Sequence, residues 1–420
     1  MTGTIDLTAE EFWALPPAAR YDAFRTLRQT DPFAFFAEPE IPFIEAGPGY
    51  YALTRHADIE AVSSQPELFC SGKGAVSIPD MPAELVEFYG SMISMDDPRH
   101  ARIRRIVSLT FTPKMLDAVI DSVSDLAREL LLQARKTAEA GDGTFDFVRE
   151  VAAPLPLKVI CRMMGIPESD HAMVLEQSNI ILSGGDPEVL GTDSQEDALG
   201  LFLVAGQTLA ELMHRLAAER REHPTDDLTS ALVNSSADDG DALTDQELGS
   251  FFILLCVAGN ETTRNAISQG VWALHEFPEQ KRRWMADPTL AKTAVEEIVR
   301  WATPVTWMRR TATQDVLVNG HQFREGDKIV MVYGSANRDE TVFADADVFD
   351  IGRSPNPHLG FGARGPHFCL GAHLARREIT VAFQSIFELL PDLEVVGEPD
   401  RLLSSFVNGI KRMRVRVGQG

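Results

Sequence analysis

Residues 361–378 read FGARGPHFCLGAHLARRE, and this stretch decides how the rest of the chain is interpreted. Its glycines predict a tight loop whose backbone turns sharply or lies close to something flat. A helical pattern starts after Gly371, so Cys369 lies just before a helix N-terminus. Unpaired N–H groups and the positive end of the helix dipole favour a thiolate at that position.

A thiolate that a glycine-rich loop holds in place can serve as an axial ligand of haem iron. An isolated intracellular cysteine is usually a small buried hydrophobe, but here the complete pattern is Phe-Gly-x-x-Gly-x-His-x-Cys-x-Gly. This pattern resembles the haem-thiolate loop of the cytochrome P-450 monooxygenases. The resemblance implies haem b as the cofactor, Cys369 as the iron ligand, and Phe361 and Gly371 close to the porphyrin. We refer to residues 361–371 as the Cys loop.

The composition excludes several classes of protein. The 420 residues are 44% hydrophobic, and the formal net charge of −23 argues against nucleic acid as a partner. The four cysteines are too few and too far apart for a disulfide framework, which indicates a reducing compartment. The longest apolar run, residues 251–259, is too short to cross a bilayer, and the N-terminus lacks the pattern of a signal peptide. We therefore expect a soluble, cytoplasmic protein without a membrane anchor.

Helical patterns dominate the chain, and strands and turns prevail between residues 316 and 349. The longest predicted helix spans residues 244–277, where Thr244 and Glu247 make a capping box and the middle is apolar on every face. The irregular residues 69–92 are predicted to form a functional loop. Length alone suggests two or three domains. The resemblance instead implies a single cytochrome P-450 domain over residues 1–420, mainly α with a small β part, with haem between the long central helix and the Cys loop.

The middle of this helix contains residues 258–263, which read AGNETT. A carboxylate and a hydroxyl among apolar residues are costly to bury unless they are satisfied or have a task. One interpretation is structural: a threonine bonds back to the preceding turn, as expected for Thr263, and Glu261 reaches a basic partner. The stretch also resembles the family motif (Ala/Gly)-Gly-x-(Asp/Glu)-Thr-(Thr/Ser). That resemblance implies a proton relay in which Glu261 is the acid and Thr262 the alcohol, with Ala258 and Gly259 against the haem.

Four cation-capable residues match positions that bind the haem propionates in this family. His100 and Arg104 lie about 40° apart around a helix at ~100° per residue, and Arg310 and His367 lie far along the chain. Buried carboxylates require such cationic partners. Arg309 is next to Arg310, but neighbouring residues on a strand point to opposite faces.

Glu297 and Arg300 lie three residues apart on one helix face. Such pairs are usually surface ion pairs of little energetic value. The family has Glu-x-x-Arg at this place, tied to a third residue before the Cys loop. The resemblance therefore implies a structural set formed by Glu297, Arg300 and Arg353.

The remaining arginines near the two haem-binding stretches suggest a basic docking patch for an acidic electron donor. The alternative is that they are ordinary solvated arginines, and the sequence does not decide between the two. The residues are Arg99, Arg102, Arg105, Arg364, Arg376 and Arg377.

The resemblance implies a monooxygenase that inserts one atom of O2 into a C–H bond of an apolar small molecule, such as a steroid, terpenoid or fatty acid. It also implies electrons from NAD(P)H through a ferredoxin reductase and a ferredoxin. The motifs are most similar to those of actinobacterial sterol and lipid hydroxylases. The predicted substrate-binding residues, which could equally be core residues, are Val257, Ala258, Val305, Trp307 and Phe406.

Two alternative functions come from other classes. One is a haem-thiolate enzyme that does not activate O2, such as a peroxygenase, dehydratase or reductase. The other is a haem-based gas-binding protein. The pair of Glu261 and Thr262 speaks against both, because neither function needs a proton relay.

Overall fold

The computed structural model describes residues 5–39, 41, 44–110, 113–183, 186–234 and 242–418. Helices dominate these ranges, and we number them in chain order. The α-helices are α1 Glu10–Trp13, α2 Pro17–Thr30, α3 His56–Ser63, α4 Ala83–Gly90, α5 Arg99–Thr110, α6 Pro113–Ala140, α7 Pro154–Met164, α8 His171–Leu182, α9 Pro187–Leu190, α10 Gln195–Glu222, α11 Leu228–Val233, α12 Asp245–Glu276, α13 Pro278–Ala286, α14 Ala291–Ala302, α15 Tyr333–Ala336 and α16 Ala372–Leu389.

The strands are short and come mainly from the two ends of the chain. They are β1 Phe33–Phe36, β2 Tyr50–Leu53, β3 Phe69–Cys70, β4 Thr144–Asp146, β5 Trp307–Ala312, β6 Val316–Val318, β7 His321–Phe323, β8 Lys328–Val332, β9 Glu394–Val395, β10 Asp400–Arg401, β11 Ile410–Arg412 and β12 Arg414–Arg416. The predicted fold class, mainly α with a small β part, is confirmed.

Helix α12 is the axis around which the other helices pack. It begins with the predicted capping box, in which Thr244 Oγ1 accepts from the Glu247 N–H at 3.1 Å and Glu247 Oε2 accepts from the Thr244 N–H at 3.0 Å. Helices α7, α8, α10, α14 and α16 all contact it. Phe252 and Cys256, in its apolar centre, are fully buried in consequence.

The largest sheet has five strands in the order β1-β2-β8-β5-β3. Strands β2 and β8 are parallel, with Tyr50 opposite Lys328, and the other neighbours are antiparallel. Strand β5 is therefore an interior strand with a side chain on alternate faces. This alternation places Met308 and Arg310 on one face and Trp307 and Arg309 on the other.

Three predicted boundaries differ from the structure. The segment expected to be irregular contains α4 and a 3-10 turn at Ser91–Ser94. Pro82 directly precedes α4 and fixes a backbone angle that suits the start of a helix. The strand-rich part starts earlier than residue 316, at β5, and ends at β8, where α15 follows.

Among the described ranges, no helix combines sufficient length with sufficient apolarity to cross a membrane.

Candidate active site

Helix α12 and the Cys loop face each other across a cavity of about 240 Å³. This volume is close to the lower end of the range of typical small-molecule sites, about 300–1,000 Å³. Its apolar wall is built mainly by α7, α12 and the turn before α5. The apolar lining residues far from the Cys loop in sequence are Met92, Ile93, Ile160, Met163, Phe251, Leu254, Leu255, Ala258, Ala266, Val305 and Met308.

The Cys loop is closed by hydrogen bonds within its own backbone. The Cys369 N–H donates to the Phe361 carbonyl at 2.9 Å. Gly365 has a φ of 145°, and a Cβ there would lie 2.4 Å from the Ser63 carbonyl oxygen. Only glycine fits this position. A Cβ at Gly371 would meet no protein atom within 4 Å, because this residue borders the cavity just before α16 begins.

The Cys369 side chain is exposed to the cavity. Desolvation raises the pKa of its thiol, while the Gly371 N–H, Arg104 and Arg376 act in the opposite direction. The sequence predicted that the helix start would favour the thiolate. In the structure, desolvation raises the pKa of Cys369 by more than the Gly371 N–H and the two arginines lower it. A metal cation bound to the sulfur would deprotonate it outright.

Four predicted cationic residues meet at one end of the cavity. The ring centroids of His100 and His367 are 4.3 Å apart, and Arg104 donates to the Phe368 carbonyl at 2.6 Å. Arg310 is buried, and its guanidinium donates to the Arg309 carbonyl at 2.8 Å. Desolvation and the neighbouring Arg310, His100 and Arg104 lower the pKa of His367 to about 3.

This cluster needs an anion. Within the described ranges, neither Arg104 nor Arg310 has a carboxylate within ion-pair distance, and His100 Nε2 is buried without a hydrogen-bond partner. Buried cations of this kind are stable when a ligand supplies the opposite charge. The two carboxylates of a haem would supply this opposite charge, and Cys369, which lines the same cavity, would ligate its iron, so the residues present fit this cofactor.

Glu261 and Thr262 are neighbours on α12, but only Thr262 is among the residues that line the cavity, and no hydrogen bond joins the two side chains. Thr262 lines the cavity, and its Oγ1 donates to the Ala258 carbonyl at 2.7 Å, so Thr262 makes the bond expected of Thr263. Glu261 is buried; its Oε1 accepts from Asn265 at 2.8 Å and from Arg264. Glu261 Oε2 has no hydrogen-bond partner. One carboxylate oxygen is therefore held, and the other is buried without a hydrogen-bond partner.

The three residues predicted to form a structural set do meet. Glu297 and Arg300 are fully buried, and Arg300 binds both carboxylate oxygens of Glu297 at 2.7 Å. Arg353 Nε donates to Glu297 Oε2 at 3.1 Å. Arg300 also donates to the carbonyls of Asn337 and Ala346, so the set fixes the segment that leads to the Cys loop.

Of the predicted substrate-binding residues, Ala258 and Val305 line the cavity, and the other three do not. Val257 points away from Ala258 by about 100° around α12 and packs into a core of apolar side chains. Trp307 lies on the outer face of β5, where its ring packs edge-on against Phe406 at 5.0 Å. Because side chains alternate along β5, Met308 points to the cavity with Arg310, and Trp307 points to the opposite face with Arg309.

Several lining residues were not predicted. Phe251, Leu254 and Leu255 lie one or two turns before Ala258 on α12, so helical spacing could have identified them. Ile160 and Met163 come from α7, and no signal in the sequence connects that helix to the cavity.

The predicted basic patch is smaller than the sequence suggests. Arg99 and Arg102 both pair with Glu247, and Arg376 pairs with Glu296. These acidic partners lie on α12 and α14, far away in sequence. Arg364 and Arg377 are exposed to solvent, as a docking surface requires.

The comparisons with known proteins agree with this geometry. A family model for cytochrome P450 matches residues 202–390. The chain is 49% identical over 412 residues to a methyl-branched lipid omega-hydroxylase of Mycobacterium tuberculosis, covering 98% of this chain and 94% of the relative. It is 39% identical over 371 residues to a steroid C26-monooxygenase of Mycolicibacterium smegmatis, covering 87% and 83%.

Solved structures show the same likeness. Mycobacterium marinum cytochrome P450 CYP268A2, in complex with pseudoionone, superimposes with a TM-score of 0.92 at 42% identity and covers 99% of this chain and 98% of that one. Bacillus megaterium CYP109E1, in complex with testosterone, gives 0.80 at 29% identity over 96% and 100%. The cavity, the Cys loop and these relatives lead to one conclusion: the chain belongs to the cytochrome P450 family of haem-thiolate monooxygenases.

Proposed function

We propose that this monooxygenase hydroxylates the methyl end of a branched, apolar chain. The observation that carries the proposal is the apolar wall of the cavity, formed by side chains such as Phe251, Leu254 and Ile160. The relative with 49% identity is named for omega-hydroxylation of methyl-branched lipids. The relative with 39% identity is named for C26 of a steroid, which is a side-chain terminus. The two names share a chemical feature, a methyl group at the end of a flexible aliphatic segment.

The chain's own residues would bind the haem in three places. Cys369 would supply the sulfur ligand of the iron, and Arg104 and Arg310, together with His100 and His367, would bind the propionates. Ala258 and Gly259 border the cavity on α12 and present little side-chain bulk toward the ring. When bound, thiolate-ligated haem iron supplies the chemistry that activates O2.

Thr262 and Glu261 are proposed to deliver protons in this otherwise apolar site. The Thr262 hydroxyl borders the cavity, and the free oxygen of the Glu261 carboxylate can accept a proton from water. Water would have to bridge the two groups, because they share no direct hydrogen bond. A positioned relay of this kind contributes typically about 10²–10⁴-fold to rate.

Electrons are proposed to come from NAD(P)H through a ferredoxin reductase and a ferredoxin in the cytoplasm. Arg364 and Arg377 are exposed members of the predicted patch, and an acidic donor could contact them. Replacing both by glutamate should slow reduction by the native donor and leave dithionite reduction unchanged. Equal rates with the donor would exclude this surface.

The experiment that tests the proposed substrate is a binding and turnover series. Carbon monoxide on the reduced protein should give the far-red Soret band of thiolate ligation. Three probes of similar length are then titrated: a methyl-branched fatty acid, its straight-chain isomer and a cholestane steroid. We expect the branched acid to give the largest spin-state shift, and ferredoxin-driven turnover to place the hydroxyl on the terminal carbon.

Two outcomes would contradict the proposal. Tightest binding of the steroid would move the substrate to another class, and hydroxylation within the chain would exclude terminal attack. Consumption of NAD(P)H that does not depend on substrate, or product formed only with peroxide, would instead favour the haem-thiolate enzymes that do not activate O2.

A further inference from the structure

Helix α14 carries two consecutive carboxylates with different surroundings. Glu297 binds Arg300 and Arg353, as described above. Glu296 lies about 100° away around the helix and turns toward α16 and the segment before the Cys loop. The Glu-x-x-Arg pattern includes Glu297 but not Glu296, so the sequence predicts no role for Glu296.

Glu296 binds two residues that lie on opposite sides of Cys369 in the sequence. Arg376 donates from Nε to Glu296 Oε1 at 2.5 Å and from Nη2 to Oε2 at 3.0 Å. His358 Nε2 lies 2.9 Å from Glu296 Oε2, and its Nδ1 accepts from the Gly360 N–H at 3.1 Å. Since Nδ1 is an acceptor, Nε2 carries the hydrogen and donates to Glu296.

The carboxylate of Glu296 is ionised in this arrangement. Burial opposes its ionisation, but the hydrogen bonds from His358 and Arg376 outweigh burial and lower the pKa of Glu296 to about 2. Both partners are therefore held by a charged acceptor, and hydrogen bonds to a charged group are roughly twice as strong as those between neutral groups.

Phe361 packs against both partners of Glu296. The Arg376 guanidinium sits 4.3 Å from the centroid of the Phe361 ring, and the His358 ring centroid is 5.8 Å from it. The Phe361 carbonyl accepts the hydrogen bond from the Cys369 N–H. A continuous set of contacts thus runs from Glu296 through Arg376 and His358 to Phe361 and the backbone of the cysteine.

We propose that Glu296 is a positioning residue for the axial sulfur, an inference that rests on the proposed role of Cys369 as iron ligand. Glu296 fixes Arg376 and His358, the two side chains that pack against the Phe361 ring. A fixed Phe361 carbonyl holds the Cys369 N–H and, with it, the place of the sulfur before the start of α16. Partners that orient a metal ligand without touching the metal typically contribute about 10–100-fold to metal affinity or activity.

The test is the stability of thiolate ligation in the haem-loaded Glu296→Gln variant. We expect its carbon monoxide complex to convert from the far-red band to the ordinary haem band about 10-fold faster than the unmodified protein. The midpoint potential of the iron, measured electrochemically without a protein donor, should shift as well. Arg376→Gln should have a similar effect. The double variant should be little worse than either single one, because the residues act as a unit.

The matched control is Glu388→Gln. This variant breaks an exposed ion pair between Glu388, which lies on α16 as Arg376 does, and Arg128 on α6. This variant should keep the conversion rate and the potential of the unmodified protein. If Glu296→Gln lowers only the melting temperature, with conversion rate and potential unchanged well below melting, Glu296 is merely structural and the proposal is overturned. Failure of the ligand assignment is recognised separately, because Cys369→Ala would then keep the far-red band.

Discussion

Arg309 and Arg310 are neighbours on β5 and carry the same charge, but their side chains enter different surroundings. Arg310 borders the cavity. Arg309 donates to the carbonyl of Ile78 at 2.8 Å and to Asp80 at 2.6 Å, and so holds the loop before α4. Because successive side chains on a strand point to opposite faces of the sheet, the sequence alone predicts different surroundings for the two arginines. The same alternation of faces places Met308 at the cavity and Trp307 away from it.

Replacing Met308 and Trp307 by alanine should therefore have different consequences. Trp307→Ala removes a buried ring from the core and should reduce the free energy of unfolding by about 3–5 kcal/mol, as measured by denaturant titration. Met308→Ala should change the relative affinities for branched and straight-chain probes, with a smaller loss of stability. Equal effects of the two variants on probe affinity would contradict this assignment.

Thr262→Ala should separate electron consumption from product formation. The hydroxyl borders the cavity, so its loss removes a proton donor and leaves the haem-binding and substrate-binding residues in place. We expect product formation to fall by about 10²-fold, with most NAD(P)H electrons recovered as hydrogen peroxide.

A threonine away from the cavity provides the control for this variant. Thr208 on α10 makes the same type of bond back to a helix carbonyl, from its Oγ1 to Val204 at 2.8 Å, but it does not line the cavity. Thr208→Ala should keep the coupling of the unmodified protein. Unchanged coupling in Thr262→Ala would remove Thr262 from the proposed relay.

At the scale of elements, the long helix α12 was predictable, since its capping box and the following proline fix both ends. The Cys loop was predictable because its glycines and cysteine occur at a specific spacing. The contribution of α7 to the cavity was not predictable. It depends on how two helices cross, and tertiary packing of this kind leaves no pattern in either helix alone.

The structural set around Glu297 ties α14 to the segment that precedes the Cys loop. Glu297→Gln leaves Arg300 fully buried without a carboxylate partner. Breaking a buried ion pair on one side costs about 3–5 kcal/mol, so the variant should unfold at clearly lower denaturant concentration. Glu279→Gln, which removes an exposed pair with Arg282, should change stability by less than about 1 kcal/mol. Similar losses in both variants would contradict the role of burial.

At the scale of the whole molecule, the excess of acidic residues makes stability depend on pH. Glu340 accepts hydrogen bonds from Gln29 and Arg28, and these bonds help to lower its pKa to about 2 although burial acts in the opposite direction. The pKa of Glu296 is also about 2. An unfolded glutamate titrates near pH 4.3. Between these values the unfolded chain binds more protons, so the contribution of both groups is complete above about pH 4.3 and is lost as pH falls toward about 2.

We therefore expect the melting temperature, followed by circular dichroism, to decline steeply below about pH 4.3. In Glu296→Gln the decline should be shallower, because one of the two groups no longer titrates. A melting temperature that stays constant down to pH 2 would contradict the ionised state of these glutamates.

The order of strands in the five-stranded sheet also has a consequence for synthesis. Strand β2 pairs with β8, which a ribosome would make roughly 280 residues later; at roughly 5–20 residues per second this takes on the order of 15–55 s. Strands β1 and β2 leave the ribosome first and wait for β8, while the Cys loop is made later still. The cavity is therefore completed only near the end of translation, and cofactor capture is expected to follow the emergence of α16 rather than to guide the early folding of the chain.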